Sequence, residues 1–183
     1  MLAQANRTSW QSALIARHPS LFNVAQHGGT YTPGYPECNE GWRDLLERAC
    51  TRIEAAVIAD GGTFSALQIK EKYGTLRFYW TGRLSKEAEH AVEDAVALAE
   101  ARSACTCEVC GRAGVLHARG DWLATACVDH ARGKPVPVVA GFENLHIVRV
   151  FGAGRYPIAS CRRYVRETDS FLEVDPRSLG IEE

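Results

Sequence analysis

The sequence predicts an α+β fold: a helix–β-hairpin–helix core, a treble-clef-like zinc unit, and a C-terminal β-hairpin extension. Three observations predict it. Apolar residues recur at helical spacing over 42–57 and again over 88–99. Between these helices, two alternating stretches flank Gly74 as a hairpin would. Four soft metal-ligand residues then crowd into 107–130. The expected boundaries are 1–104 for the core, 105–132 for the zinc unit and 133–183 for an extension packed on the core.

Composition supports a folded chain. Of 183 residues, 46% are apolar and 23% charged, a balance that excludes a disordered tail. Net charge is −1, from 21 basic and 22 acidic side chains, which excludes coating of nucleic acid by bulk charge but not a local basic patch. No apolar run approaches the roughly 18 residues of a membrane span. Seven cysteines, an odd count unevenly spread, do not form the framework of a small secreted disulfide scaffold. Residues 1–20 lack the apolar centre of a signal peptide, although Arg7 and Arg17 before the first acidic residue, Glu37, give a faint transit-peptide look. The expected compartment is the reducing cytoplasm.

In chain order, 9–17 forms a short helix with Trp10, Ala13 and Leu14 on its apolar side, and His18-Pro19 ends it. Residues 26–39, rich in glycine and proline with Tyr31 and Tyr35 interleaved, read as a loop whose tyrosines either cover the core or serve function. The helix over 42–57 has Asn39 as its expected N-cap and stops at Asp60-Gly61-Gly62. Cys50 lies in its apolar stripe and is expected to be a small buried hydrophobe. Strands over 64–70 and 75–81 follow. Regular alternation puts Leu67 and Ile69 on the face of Leu76, Phe78 and Trp80, toward the helix. Gln68, Lys70, Arg77 and Tyr79 then form a polar outer face. Ser85 caps an alanine-rich helix running to about 103.

The chemistry lies in Cys107-x-x-Cys110-Gly111 and Cys127-x-x-His130. Two thiolates two apart on a tight turn converge on one centre, and one helical turn sets Cys127 and His130 on a common side. A Cys3His set suits Zn2+ and leaves no open position, so a structural role is expected. Cys105 and His117 are competing ligands. Strands over 114–118 and 122–126 join the two pairs. No His-Glu-x-x-His helix or zinc-deaminase pattern is present. Beyond the zinc unit, 144–151 and a stretch through Val165 are expected to pair. Arg162, Arg163 and Arg166 read as a solvated strand face offset by Glu167, Asp169 and Glu173.

Cys38-x-x-Gly41-Trp42, then Gln68-Ile-Lys70-Glu71-Lys72-Tyr73-Gly74-Thr-Leu-Arg77-Phe-Tyr79, then the Cys107–130 unit, resembles a family of small uncharacterised zinc-binding proteins of bacteria and phages. The resemblance covers residues 20–132 and implies architecture, not activity.

Three functional readings follow. The first is a non-enzymatic module binding a protein partner through Gln68, Lys70, Arg77 and Tyr79, with Tyr31 and Tyr35, as a phage or bacterial accessory or inhibitor protein. The second is a nucleic-acid-binding zinc protein that presents Arg112, Arg119, Arg132 and Lys134 to phosphate. The third is an enzyme, either a metal-dependent nuclease-like protein using Asp129-His130 or one with Cys38 as nucleophile. No partnered histidine can be named for Cys38, and His130 is consumed as a ligand.

Overall fold

The structure, a computed structural model, describes residues 9–26, 29–149 and 158–181. It is a mixed α+β protein with four α-helices and several small sheets. Helix α1 (Trp10–Arg17) starts where the Ser9 hydroxyl accepts the Ser12 N–H, and a one-turn helix α2 (Pro19–Phe22) follows it. The expected loop over 26–39 contains a small antiparallel pair, β1 (Val24–Gln26) and β2 (Gly29–Tyr31), then β3 (Pro36–Glu37). Asn39 precedes a 3-10 turn (Glu40–Trp42) without capping it by its side chain, and helix α3 spans Arg43–Asp60. Gly61 closes α3 at φ 72°, a left-handed cap suited to glycine.

Strands β4 (Thr63–Lys72) and β5 (Thr75–Arg83) form the central hairpin, and β3 joins β4 in parallel. Helix α4 (Lys86–Ser103), capped by Ser85, packs beside α3. The core lies between these helices and the hairpin. Leu45, Leu46, Ile53, Val92 and Ala95 meet Phe64, Ala66, Ile69, Leu76 and Phe78, and Leu14, Leu21, Phe22 and Trp42 close one end. Cys50 is buried among them, as its place in the stripe predicts.

Leu67 departs from the expected alternation. A bulge between Ala66 and Gln68 inserts it as an extra residue, so Ala66 and Ile69 point inward and Leu67 is 44% exposed. Strand β5 is an edge, but α4 covers it. The Leu76 N–H donates to Ser103 Oγ (2.8 Å) and the Phe78 N–H to Glu100 Oε1 (3.4 Å).

After α4, strands β6 (Val115–Arg119), β7 (Trp122–Ala126) and β8 (Lys134–Pro135) form a second sheet in the order β7-β6-β8. The C-terminal part is a three-stranded sheet rather than a hairpin, in the order β11-β10-β9: β9 (Leu145–Arg149), β10 (Ile158–Val165) and β11 (Ser170–Glu173). The end of the expected strand at 150–151, and the Gly152–Gly154 turn, lie outside the described residues.

Arg162 and Arg163 of β10, and Arg166 just after it, are not a solvated face. Arg162 bonds Asp94 of α4 at 2.7 Å, Arg163 donates to the Gly141 carbonyl, and Arg166 donates to the Gly111 carbonyl of the metal unit. Asp169 is buried, and it meets Arg52 of α3 (2.7 Å), Arg102 of α4 (3.5 Å) and the Tyr164 hydroxyl of β10 (2.6 Å). No helix among the described residues is long and apolar enough to cross a membrane.

Candidate metal centre

The metal ligands arise from two backbone turns. In the first, the Gly111 N–H donates to the Cys107 carbonyl and the Cys107 N–H to the Arg112 carbonyl, both at 2.8 Å. Gly111 takes φ 76°, so the chain turns back and both thiols face one point. In the second, the His130 and Ala131 N–H groups donate to the Cys127 carbonyl. This is a single helical turn, as expected, but it does not continue into a helix, and β8 follows it where a treble clef would have one. The turn still sets Cys127 Sγ 3.3 Å from His130 Nδ1.

Cys107, Cys110, Cys127 and His130 form one cluster, their donor atoms all within 4.8 Å of one another. Cys107 Sγ lies 3.6 Å from His130 Nδ1, and Cys110 Sγ lies 3.6 Å from Cys127 Sγ. Tetrahedral bonds of about 2.0–2.3 Å give edges of about 3.3–3.8 Å, the range of these three close distances, so the four residues could hold a metal ion. All seven cysteines are free of disulfides. Cys105 lies outside the cluster, buried with its thiol on the Arg102 carbonyl, and His117 is held by the Val115 carbonyl through Nδ1.

Arg112 sits directly behind two thiols. Its guanidinium donates to Cys110 Sγ and Cys127 Sγ, each at 3.5 Å, and to the Asp129 carboxylate. Donation from Arg112 holds the Cys110 thiol down at about 6. Burial pushes Cys107 the other way. Arg112 is therefore engaged with the thiolates and Asp129 through Nε and Nη2.

The family-like motifs over 41–42 and 71–74 mark where this unit docks on the core. The Gly41 N–H donates to the Glu108 carbonyl (2.8 Å), and a β-carbon at Gly41 would strike the Cys107 and Glu108 carbonyls. Buried Trp42 donates from its indole to the Thr106 carbonyl (3.0 Å). On the other side, Gly74 (φ 79°) faces Leu116, and its carbonyl accepts from Thr125 Oγ1 (2.7 Å).

A groove of about 740 Å3 lies against the centre. Ala124, Ala126 and Ala131 are its small apolar residues, Val109 and Trp122 line it, and Arg119, Arg132, Asp129 and His130 complete it. Trp122 is 70% exposed. Sequence reading passed over Trp122 and Val109. The available signal was a tryptophan beside the Gly120-Asp121 turn, a place where a core aromatic has little to pack against.

The expected hairpin face is brought together: Gln68 pairs with Tyr79 and Lys70 with Arg77 across the strands. Arg77 also donates to Thr75 Oγ1 and the Leu76 carbonyl, faces Glu100, and lines a cavity with Glu100 and His146. Tyr79 and Tyr31 are exposed, and Tyr35 meets the Ser9 hydroxyl at 3.3 Å. Burial, with Glu108 beside it, pushes the Cys38 thiol up to about 12, which disfavours the reactive thiolate. Lys134 pairs with Ala118, next to Arg119. Compared with family models, curated proteins and solved structures, the chain matches none.

Proposed function

We propose that this chain is a zinc-stabilised, non-enzymatic binding module that recognises a macromolecular partner through the groove beside its metal unit. We also propose that it belongs with the small zinc-binding proteins of bacteria and phages whose motifs it carries. The observation that carries the reading is the four-donor cluster. Three thiolates and one imidazole close a tetrahedron and leave no position for substrate or water, so the ion supports the fold and not a reaction.

Local packing supports the structural role. The buried apolar cluster around the centre consists of Cys107, Ala126 and Cys127, with Ala131 against it. Two of its three buried members are ligands, so without the ion this segment has almost no core. Zinc-binding energy is then folding energy. With three thiolates, bound Zn2+ leaves one net negative charge, which the Arg112 guanidinium offsets. The hairpin face is the weaker recognition surface, because Arg77 is spent inside the molecule. The groove instead presents an exposed indole and two guanidinium groups on a rigid sheet.

Paired variants test the reading. Cys127→Ser removes a ligand and Cys105→Ser removes only a buried thiol. The expected outcome is loss of the metal and a fall in melting temperature of well over 10 °C for Cys127→Ser, against only a few degrees for Cys105→Ser. Equal effects would overturn the structural assignment.

A further inference from the structure

We infer that the groove edge formed by Arg119, Trp122 and Arg132 binds single-stranded nucleic acid, with a base stacked on Trp122 and phosphates held by the two arginines. The inference rests on the binding-module reading and names its partner class.

The register builds the site. Arg119 on β6 is paired with Trp122 on β7, and Ala118 with Lys134 on β8. Gly133 therefore lies opposite Arg119, and a β-carbon there would meet the Ala118 carbonyl and the Arg119 side chain. Only glycine, at φ 96°, lets the chain approach so closely. Arg119 and Trp122, as direct cross-strand partners, share one face, and Arg132 lines the same groove, whereas Lys134, paired with Ala118, belongs to the opposite face.

Charge decides the chemistry of the occupant. Arg119 and Arg132 make no ion pair among the described residues. Like charges on one groove repel, so an anion bound between them is favourable. Of the carboxylates lining the groove, Asp129 is taken by Arg112, and Glu108 accepts the Asn39 N–H at 2.9 Å. Asp121, at the turn, lines a neighbouring hollow with Trp122, Glu71 and Lys72.

The indole narrows the class further. A 70% exposed tryptophan beside unpaired cations is a stacking platform, and every base offers it a flat face. A base can reach it only when splayed from its strand, which selects single strands over duplexes. The near-neutral net charge fits a site that depends on a few local contacts.

Fluorescence anisotropy with a labelled mixed-sequence RNA of about 12 nucleotides, and the matching duplex, tests this on the full chain with its zinc content verified. Expected is preferential single-strand binding, with log K falling against log salt at a slope of about −1.4, from two phosphate contacts. Trp122→Ala should weaken binding about 5- to 100-fold at unchanged slope and zinc content. Arg119→Ala with Arg132→Ala should remove most of the salt dependence. Arg83→Ala, distant and exposed, should change nothing.

No binding at low salt by zinc-loaded protein, equal binding of the duplex, or indifference to Trp122→Ala would each overturn the inference. So would equally effective displacement by poly-glutamate, which would identify a site for acidic proteins. Those failures leave the zinc-stapled module standing. That reading fails instead if Cys127→Ser retains metal and stability.

Discussion

Arg112 shows how a single side chain can look like one device and be another. Its charge suggested a phosphate contact, but its guanidinium spans Cys110, Cys127 and Asp129. N–H donation to thiolates lowers their basicity and fixes their direction toward the ion. Asp129 in turn fixes Arg112. Arg112→Ala should therefore leave the chain folded with zinc present but weaken metal retention about 10- to 100-fold in competition with a chromophoric chelator. Unchanged retention would make Arg112 an ordinary surface cation. The four ligands were legible from their spacing, because two short turns dictate convergence whatever surrounds them. Arg112 was not, because a charge in a sequence does not disclose its partner.

At the scale of elements, the helices and the central hairpin followed from periodicity and from the Gly61, Gly74 and Ser85 signals. Leu67 did not, since a bulge is one residue wide and apolar alternation carries no mark of it. The missed β11 matters more. Asp169, counted as a local counter-ion for neighbouring arginines, is instead the point where the C-terminal sheet is fastened to α3 and α4. Burial opposes its charge, but the Tyr164 hydroxyl, Arg52 and Arg102 together hold its carboxyl below the usual aspartate range. The stabilisation is fully present above the unfolded-state pKa near 3.9 and is lost as pH falls through the lower folded-state value. Asp169→Asn keeps a residue tolerant of the left-handed backbone at φ 51° yet leaves the arginines without their carboxylate. Expected are a loss of about 3 kcal/mol in urea unfolding and a flattened stability profile below about pH 4. A stability within about 0.5 kcal/mol of wild type would show that the extension is held elsewhere.

For the whole molecule, the metal unit is a wedge between parts that already pack. Trp42 and Gly41 hold it to the helical core, Gly74 and Thr125 tie it to the hairpin turn, and Arg166 links it to the C-terminal sheet. These contacts explain why the family-like motifs sit where they do: they are docking points. That role was not legible beforehand, because a glycine needed for close approach looks like any turn glycine until its neighbour is known. The same wedge carries the exposed Trp122, so the proposed ion and the proposed recognition surface stand or fall with one unit. Elemental analysis of protein purified without added metal, with native mass spectrometry before and after chelation, tests this most directly. The account predicts one zinc per chain and loss of native structure over 105–135 on its removal. A metal-free chain that is fully folded would contradict it.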